Sequence, residues 1–272
     1  MFEKINEIPN TELLQIELGK KIIEWCKKEQ KTFLRHRMMI KVSNILIDCE
    51  KYKEGLDLIS MTHYEVKKME DMLLLVDIHL KETKAYINLE NISKAKAALT
   101  AVKTSSTTVN ISPARQTDID MYSGILYSND QDFVTAYSYF YEEYQGLHNL
   151  KSPKVETALV YMLLCKIMSH KNEEALSLVN SQIMANHQTS RIIMMKNIAK
   201  ASQNKSITEF QKCLDFSKEE INRDLLIKTN ISKLYSELLE DNLTKILEPY
   251  LRVEISFVAK LVGLSEKNIL QK

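Results

Sequence analysis

The chain has 272 residues, 27% of them charged, and a formal net charge of +1. This balance gives no global reason to expect binding to nucleic acid or to a membrane, because such proteins usually carry a basic excess. The chain holds only five glycines and four prolines, too few to mark the turns of a sheet protein. We therefore predict an all-α chain of one or two domains.

An early segment, EWCKKEQK at residues 24–31, combines a helical pattern with a run of cations. We interpret Lys27, Lys28 and Lys31 as the solvated side of a helix that buries Cys26 on its other side.

Four segments then repeat with a period near forty residues. They read KYKEGLDLI from Lys51, NISKAKAAL from Asn91, DFVTAYSYF from Asp132 and KNEEALSLV from Lys171. Each has a small residue at its fifth position, namely Gly55, Ala95, Ala136 and Ala175, at separations of 40, 41 and 39 residues. A small residue lets one helix approach its neighbour closely, and about forty residues suffice for two helices and two turns. The spacing predicts stacked helical pairs, as in TPR-like and HEAT arrays, with these four residues as structural anchors.

Within the third repeat, aromatic residues occur at helical spacing. They are Tyr137, Phe140, Tyr141 and Tyr144. We predict that this stripe is a contact between helices in the core. A surface that stacks nucleic-acid bases would be expected to interleave lysines or arginines, whereas Glu142 and Glu143 are the neighbours here.

Motifs of catalysis and metal binding are missing from the sequence. It contains no glycine-rich phosphate loop, no His-Glu-x-x-His and no Gly-x-Ser-x-Gly. The four cysteines, Cys26, Cys49, Cys165 and Cys213, are far apart, which is typical of free thiols in a reducing compartment. We predict no catalytic, cofactor-binding or metal-binding residues. No apolar run reaches the roughly 18 residues of a membrane span, so we expect an intracellular protein without one.

The last segment, VEISFVAKLVGLSEKNIL at 253–270, has the pattern of the first part of a helix-turn-helix. Gly263 can end one short helix and Ser265 can cap the next. Four basic residues against two acidic ones between Arg252 and Lys272 supply little of the phosphate attraction that DNA binding requires. We therefore favour a module that docks on protein. The predicted docking residues are Arg252, Glu254, Ile255 and Lys260.

One longer stretch, AYSYFYEEYQGLHNLKSPKVETALVYMLLCKIM at 136–168, resembles PCI-domain subunits of the 26S proteasome lid. The resemblance continues at 24–35, 94–104, 121–127 and 242–256 and covers nearly the whole chain in order. It implies a right-handed helical-pair (TPR-like) solenoid at 1–130 that runs into a PCI domain at 131–272. The PCI domain would comprise a helical bundle at 131–250 and a truncated winged helix at 251–272. Family members carry further repeats before the equivalent of Phe2 and continue past the equivalent of Lys272, so we expect about half of the winged helix here.

The resemblance also implies a function. Such subunits are non-catalytic scaffolds in ubiquitin-dependent protein degradation, in the cytoplasm and nucleus. The implied partners in the hetero-oligomer are other PCI subunits of the lid, the α-ring of the core particle and the ATPase ring. Two alternatives stay open at this point. One is a PCI subunit of the signalosome or of a translation-initiation scaffold, and the other is a repeat protein whose helix-turn-helix binds DNA.

Overall fold

The structure is a computed structural model that describes residues 11–185, 187, 189–222 and 224–248. Within these ranges every regular element is a helix, which confirms the predicted all-α class for the described residues. The chain divides into two compact units between Leu126 and Tyr127. The predicted winged helix at 251–272 lies outside the described residues.

The described part of the first unit, from residue 11 onwards, contains five complete helices of similar length. They are α1 (Glu12–Lys28), α2 (Thr32–Asp48), α3 (Tyr52–Met69), α4 (Met72–Asn88) and α5 (Ile92–Ser106). Helix α6 (Pro113–Asn129) follows, and its last turn belongs to the second unit.

The second unit continues with helices of more varied length. They are α7 (Phe133–Asn149), α8 (Val155–Met168), α9 (Asn172–Val179), α10 (Gln182–Ala185), α11 (Ser190–Gln203), α12 (Ile207–Phe216), α13 (Lys218–Asn222) and α14 (Leu225–Leu247).

Most turns between consecutive helices use a residue with positive φ that is not glycine. These residues are Gln30, Glu50, Glu70, Glu90, Gln131, Lys151, His170 and Lys205. At Glu90 (φ 57°) the next backbone N–H, that of Asn91, donates to the carbonyl oxygen of Tyr86 at 2.9 Å. The side chain of Asn91 then accepts from the N–H of Lys94 at the start of α5. Asn91 thus takes part in both the end of α4 and the start of α5. Because the N–H of Glu90 also donates to the carbonyl oxygen of Ile87 at 2.9 Å, the end of α4 has both hydrogen bonds of a Schellman motif.

Among the described residues of the first unit, three apolar clusters follow one another along the chain. The first joins α1 to α2 around Ile16 and Val42, and the second joins α2, α3 and α4 around Ile47 and Ile59. The third joins α4, α5 and α6 and includes Leu80. Since α2 and α4 each contribute to two clusters, the helices form successive layers, as in a stack of helical pairs.

The core of the second unit centres on α8. This helix is buried almost all round, with Leu159, Met162 and Leu163 inaccessible to solvent. A helix that is apolar on every side must be covered by neighbours, so α8 is the central helix of a bundle. Within the described residues, no helix is long and apolar enough to cross a membrane.

The predicted aromatic stripe of α7 is only half correct. Phe140 and Tyr144 are buried in line with Ala136, whereas Tyr141 is 37% exposed. Tyr137 is half-buried beneath Lys166, whose Nζ lies 4.1 Å from the ring centroid. Positions 137 and 141 are one residue further round the helix than the buried line, a rotation of about 100°, and so they leave the core.

Candidate interaction surfaces

The four predicted anchors occupy the same position in four helices. Gly55, Ala95, Ala136 and Ala175 are each the fourth residue of their helix, in α3, α5, α7 and α9, and all are buried. In each case the backbone N–H donates, at 3.0–3.1 Å, to the carbonyl oxygen four residues earlier. Their role in closing helix crossings stays a prediction that larger side chains would test.

The close approach of two helices can be measured directly at Gly55. A Cβ atom added there would lie 3.1 Å from Cγ1 of Ile47 and 3.4 Å from the carbonyl oxygen of Ser43. Helix α3 therefore runs directly against α2 at this point, with no room for a larger side chain unless Ile47 moves.

A cluster of charged groups joins α2 to α3 at their other ends. Glu65 accepts hydrogen bonds from Arg35 and from the buried ring of His36, whose Nε2 lies 2.6 Å from Oε2 of Glu65. Burial alone would raise the pKa of Glu65, but the His36 hydrogen bond and the Arg35 charge outweigh it and lower the pKa. This single carboxylate binds two donors from one neighbouring helix, so the cluster acts as a link between helices.

A second polar cluster joins three helices of the second unit. The hydroxyl of Tyr161 on α8 donates to Oδ2 of Asp224 at 2.8 Å, and Arg191 on α11 lies 3.3 Å from the same oxygen. The other oxygen of Asp224 caps α14. Burial and the adjacent Asp224 raise the pKa of Tyr161, which therefore stays a neutral donor.

A cleft of about 710 Å³ in the second unit lies between α9, α11 and α14 and is lined by several charged side chains. Its charges are paired with one another: Lys205 with Asp241 at 3.3 Å, and His170 with Glu237 at 3.9 Å. Ion pairs this exposed contribute little to stability. Neither pair places a base beside a nucleophile, so the cleft offers no arrangement typical of catalysis.

The described part of the chain offers no metal-binding site and no activated thiol. No group of three or more His, Cys, Asp or Glu side chains there could hold a metal ion. All four cysteines are free thiols; Cys26 and Cys165 are buried, and Cys49 and Cys213 are partly so. Burial raises the pKa of the Cys165 thiol, which keeps it protonated and unreactive.

The predicted docking residues cannot be placed on this framework. Arg252, Glu254, Ile255 and Lys260 lie outside the described residues, as does the whole predicted helix-turn-helix. They stay predictions.

Two family models match the chain, one near each end. Residues 1–49 match the N-terminal domain of the 26S proteasome regulatory subunit RPN6, and residues 187–271 match the PCI domain. A relative from Arabidopsis thaliana, the 26S proteasome non-ATPase regulatory subunit 11 homolog, is 37% identical over 272 residues, which is 100% of this chain. The probable 26S proteasome regulatory subunit rpn6 of Schizosaccharomyces pombe is 42% identical over 93% of this chain. The subunit RPN6 of Saccharomyces cerevisiae is 36% identical over 99% of it.

Over nearly its whole length the chain is therefore similar to 26S proteasome regulatory subunits named RPN6 or subunit 11, and it carries matches to the RPN6 N-terminal domain and to the PCI domain. It spans 65%, 60% and 63% of the length of these three relatives. The other PCI assemblies and the DNA-binding regulator considered above are not favoured, because these relatives carry the name of one proteasomal subunit. The RPN6 match covers α1 and α2, and the PCI match begins just before α11. The predicted domain boundary at residues 130–131 stays a prediction.

Proposed function

We propose that this chain is a non-catalytic scaffold subunit of the lid in the 26S proteasome regulatory particle. One observation carries the proposal. The chain is 36–42% identical, over at least 93% of its length, to proteins named as 26S proteasome regulatory subunits. The solenoid at 1–130 and the PCI domain at 131–272 would each supply a separate binding surface.

The layered first unit supports a scaffold role. Each helical pair contacts its neighbours in the stack, which leaves long outer faces of α1 to α5 available to partners. The proposed partners are other PCI subunits of the lid, the α-ring of the core particle and the ATPase ring. Contacts with several partners at once would give tight assembly without any single deep pocket.

The lack of catalysis is part of the proposal. In each of the two polar clusters, one carboxylate accepts hydrogen bonds from side chains of neighbouring helices. In the cleft, the charged side chains pair with one another. Both arrangements support a structural role for these polar groups. We propose that the protein acts in the cytoplasm and nucleus, where proteasomes degrade ubiquitin-tagged proteins.

Affinity purification of the tagged full chain from the cells that express it tests the proposal. The expected result is recovery with lid, ATPase and core-particle subunits, and comigration with peptidase activity in a native gel. Recovery without any regulatory-particle subunit would overturn it. The purified chain alone should show no peptidase, ATPase or deubiquitinase activity, and turnover in any of these assays would refute the non-catalytic part.

A further inference from the structure

Four helix ends meet at one edge of the first unit. The turn at Gln30 joins the end of α1 to the start of α2, and the turn at Glu70 joins the end of α3 to the start of α4. The bonds from Arg35 and His36 to Glu65 place the start of α2 beside the end of α3. All four ends therefore lie together.

Three aromatic rings at this edge remain open to solvent. Trp25, Phe33 and Tyr64 are 46%, 48% and 66% exposed. The apolar side chains of Leu34 and Met69 accompany them and are 41% and 50% exposed, and Met61, which lies one turn before Tyr64 towards the middle of α3, is 62% exposed. A solvated helix end would normally present short polar or charged residues, so this concentration of large apolar groups is typical of an interface.

A cation covers each of the three rings. Nζ of Lys31 lies 4.5 Å from the ring centroid of Trp25, and Nζ of Lys68 lies 4.1 Å from that of Tyr64. The guanidinium carbon of Arg37 lies 5.0 Å from the centroid of Phe33. We call these three rings and three cations the aromatic–cation edge.

None of the three cations has a carboxylate within ion-pair distance among the described residues. Of the carboxylates at this edge, Glu65 is occupied by Arg35 and His36, and Asp71 caps α4 through the N–H of Leu74. Glu29 and Glu70, which lie in the two turns, form no ion pair among the described residues. In addition, the stretch 24–37 carries five Lys and Arg residues against two Glu. The unoccupied charge at this edge is therefore mainly positive.

We propose that the aromatic–cation edge docks an acidic segment of another proteasomal subunit, one in which apolar side chains alternate with Asp or Glu. The inference rests on the proposed scaffold function and names the chemistry of one partner. The partner's carboxylates would pair with Lys31, Arg37 and Lys68, and its apolar side chains would pack on the rings and on Met61. Tryptophan, tyrosine and arginine are the residues that most often dominate binding energy at protein interfaces, and the opposed charges would set the register of docking.

Site-specific photo-crosslinking in the full chain tests this inference. Met61 is replaced by a benzophenone amino acid because it lies on the same face of α3 as Tyr64 and Lys68. The tagged chain is irradiated in the cells that express it, and the cross-linked peptide is identified by mass spectrometry. We expect a segment of a proteasomal subunit in which Asp and Glu exceed Lys and Arg.

Two triple variants then separate the edge from general charge effects. The test variant is Lys31→Gln, Arg37→Gln and Lys68→Gln, and we expect the cross-link yield to fall about tenfold. The matched control is Lys51→Gln, Lys53→Gln and Lys94→Gln, which removes three exposed cations at the opposite helix ends. We expect it to change the yield by less than about twofold, since charges beyond a Debye length of roughly 10 Å are screened. Unchanged melting curves for both variants show that each is folded.

The outcomes separate the inference from the proposed function. If the chain is recovered with regulatory-particle subunits but the test variant keeps the full cross-link yield, the inference fails and the scaffold function stands. A cross-linked segment without an acidic excess, or a cross-link to RNA, overturns the inference in the same way. Recovery without any regulatory-particle subunit overturns both.

Discussion

His36 and Glu65 are joined by a hydrogen bond of 2.6 Å between Nε2 and Oε2, which connects α2 to α3 at a ring almost closed to solvent. Arg35 contacts the same carboxylate oxygen. The two donors come from consecutive residues of α2, so one side chain of α3 holds the start of its neighbour in place. This link also places the start of α2, which carries Phe33, beside the end of α3, which carries Tyr64 and Lys68.

Replacing this carboxylate should weaken the first unit at neutral pH. In Glu65→Gln, the charge that pairs with Arg35 and His36 is lost, and we expect a loss of about 1 kcal/mol in the free energy of unfolding. This expected loss is near the low end of the range for removing a buried hydrogen-bond partner, because the Glu65 side chain is 40% exposed. Urea denaturation followed by circular dichroism measures it. Glu54→Gln, whose carboxylate makes a longer and exposed pair with Lys20 at 3.9 Å, is the control and should change stability by a few tenths of a kcal/mol at most.

The same carboxylate predicts a dependence on pH. The pKa of Glu65 is lowered in the folded chain, with burial opposing the hydrogen bond from His36 and the charge of Arg35. The ionised form therefore stabilises the fold above the ordinary pKa of glutamate, and this contribution disappears as pH falls through the folded pKa. The difference in melting temperature between wild type and Glu65→Gln should be larger at about pH 7 than at about pH 4. A difference that grows on acidification would contradict this assignment.

The pattern of helices could be predicted from the sequence because it depends on local chemistry. Small residues recur every forty or so positions, and the structure buries Gly55, Ala95, Ala136 and Ala175 at the same helical position. The link between His36 and Glu65 could not be predicted, since 29 residues separate the two and no motif joins them. It depends on how α3 packs back on α2.

The turns could not be predicted for a different reason. Glycine is the usual sign of a residue with positive φ, but here glutamine, glutamate, lysine and histidine occupy that conformation. Backbone hydrogen bonds of the helix ends impose it, such as that from the N–H of Lys51 to the carbonyl oxygen of Leu46 at 2.9 Å. The exposure of the Trp25 and Phe33 rings could not be predicted either, because the charged residues around them indicate only the solvated side of a helix.

These strained turns predict a stabilising substitution. Gln30 has a φ of 54° and a solvent-exposed side chain, so Gln30→Gly should relieve strain and stabilise the chain by about 0.5–1 kcal/mol. The adjacent Glu29 is also exposed but has a φ of −84°, so Glu29→Gly should destabilise by a few tenths of a kcal/mol. Thermal melts of both variants beside wild type measure the contrast. Equal effects from the two would show that the αL conformation at Gln30 carries no strain.

In the second unit, the hydroxyl of Tyr161 should contribute measurably to stability. Tyr161→Phe removes the donor that lies 2.8 Å from Asp224 and leaves Arg191 as the remaining side-chain donor from another helix. We expect a loss of about 1 kcal/mol in the free energy of unfolding. Tyr141→Phe on α7, where the ring is 37% exposed, is the matched control and should be nearly neutral. A neutral Tyr161→Phe would mean that the capping role of Asp224 does not depend on this contact.

The anchor positions give the most direct test of the stacked helical pairs. Ala136 is fully buried in the first turn of α7, whereas Val134 in the same turn is 65% exposed. Ala136→Trp should force a large ring into a closed crossing at a cost of about 1–3 kcal/mol, and so lower the melting temperature by roughly 5 °C. Val134→Trp adds a ring of the same size on the outer side and should leave the melting temperature within about 1 °C of wild type. If both variants melt together, bulk at position 136 is tolerated, and the closeness of helix packing at the anchors is refuted.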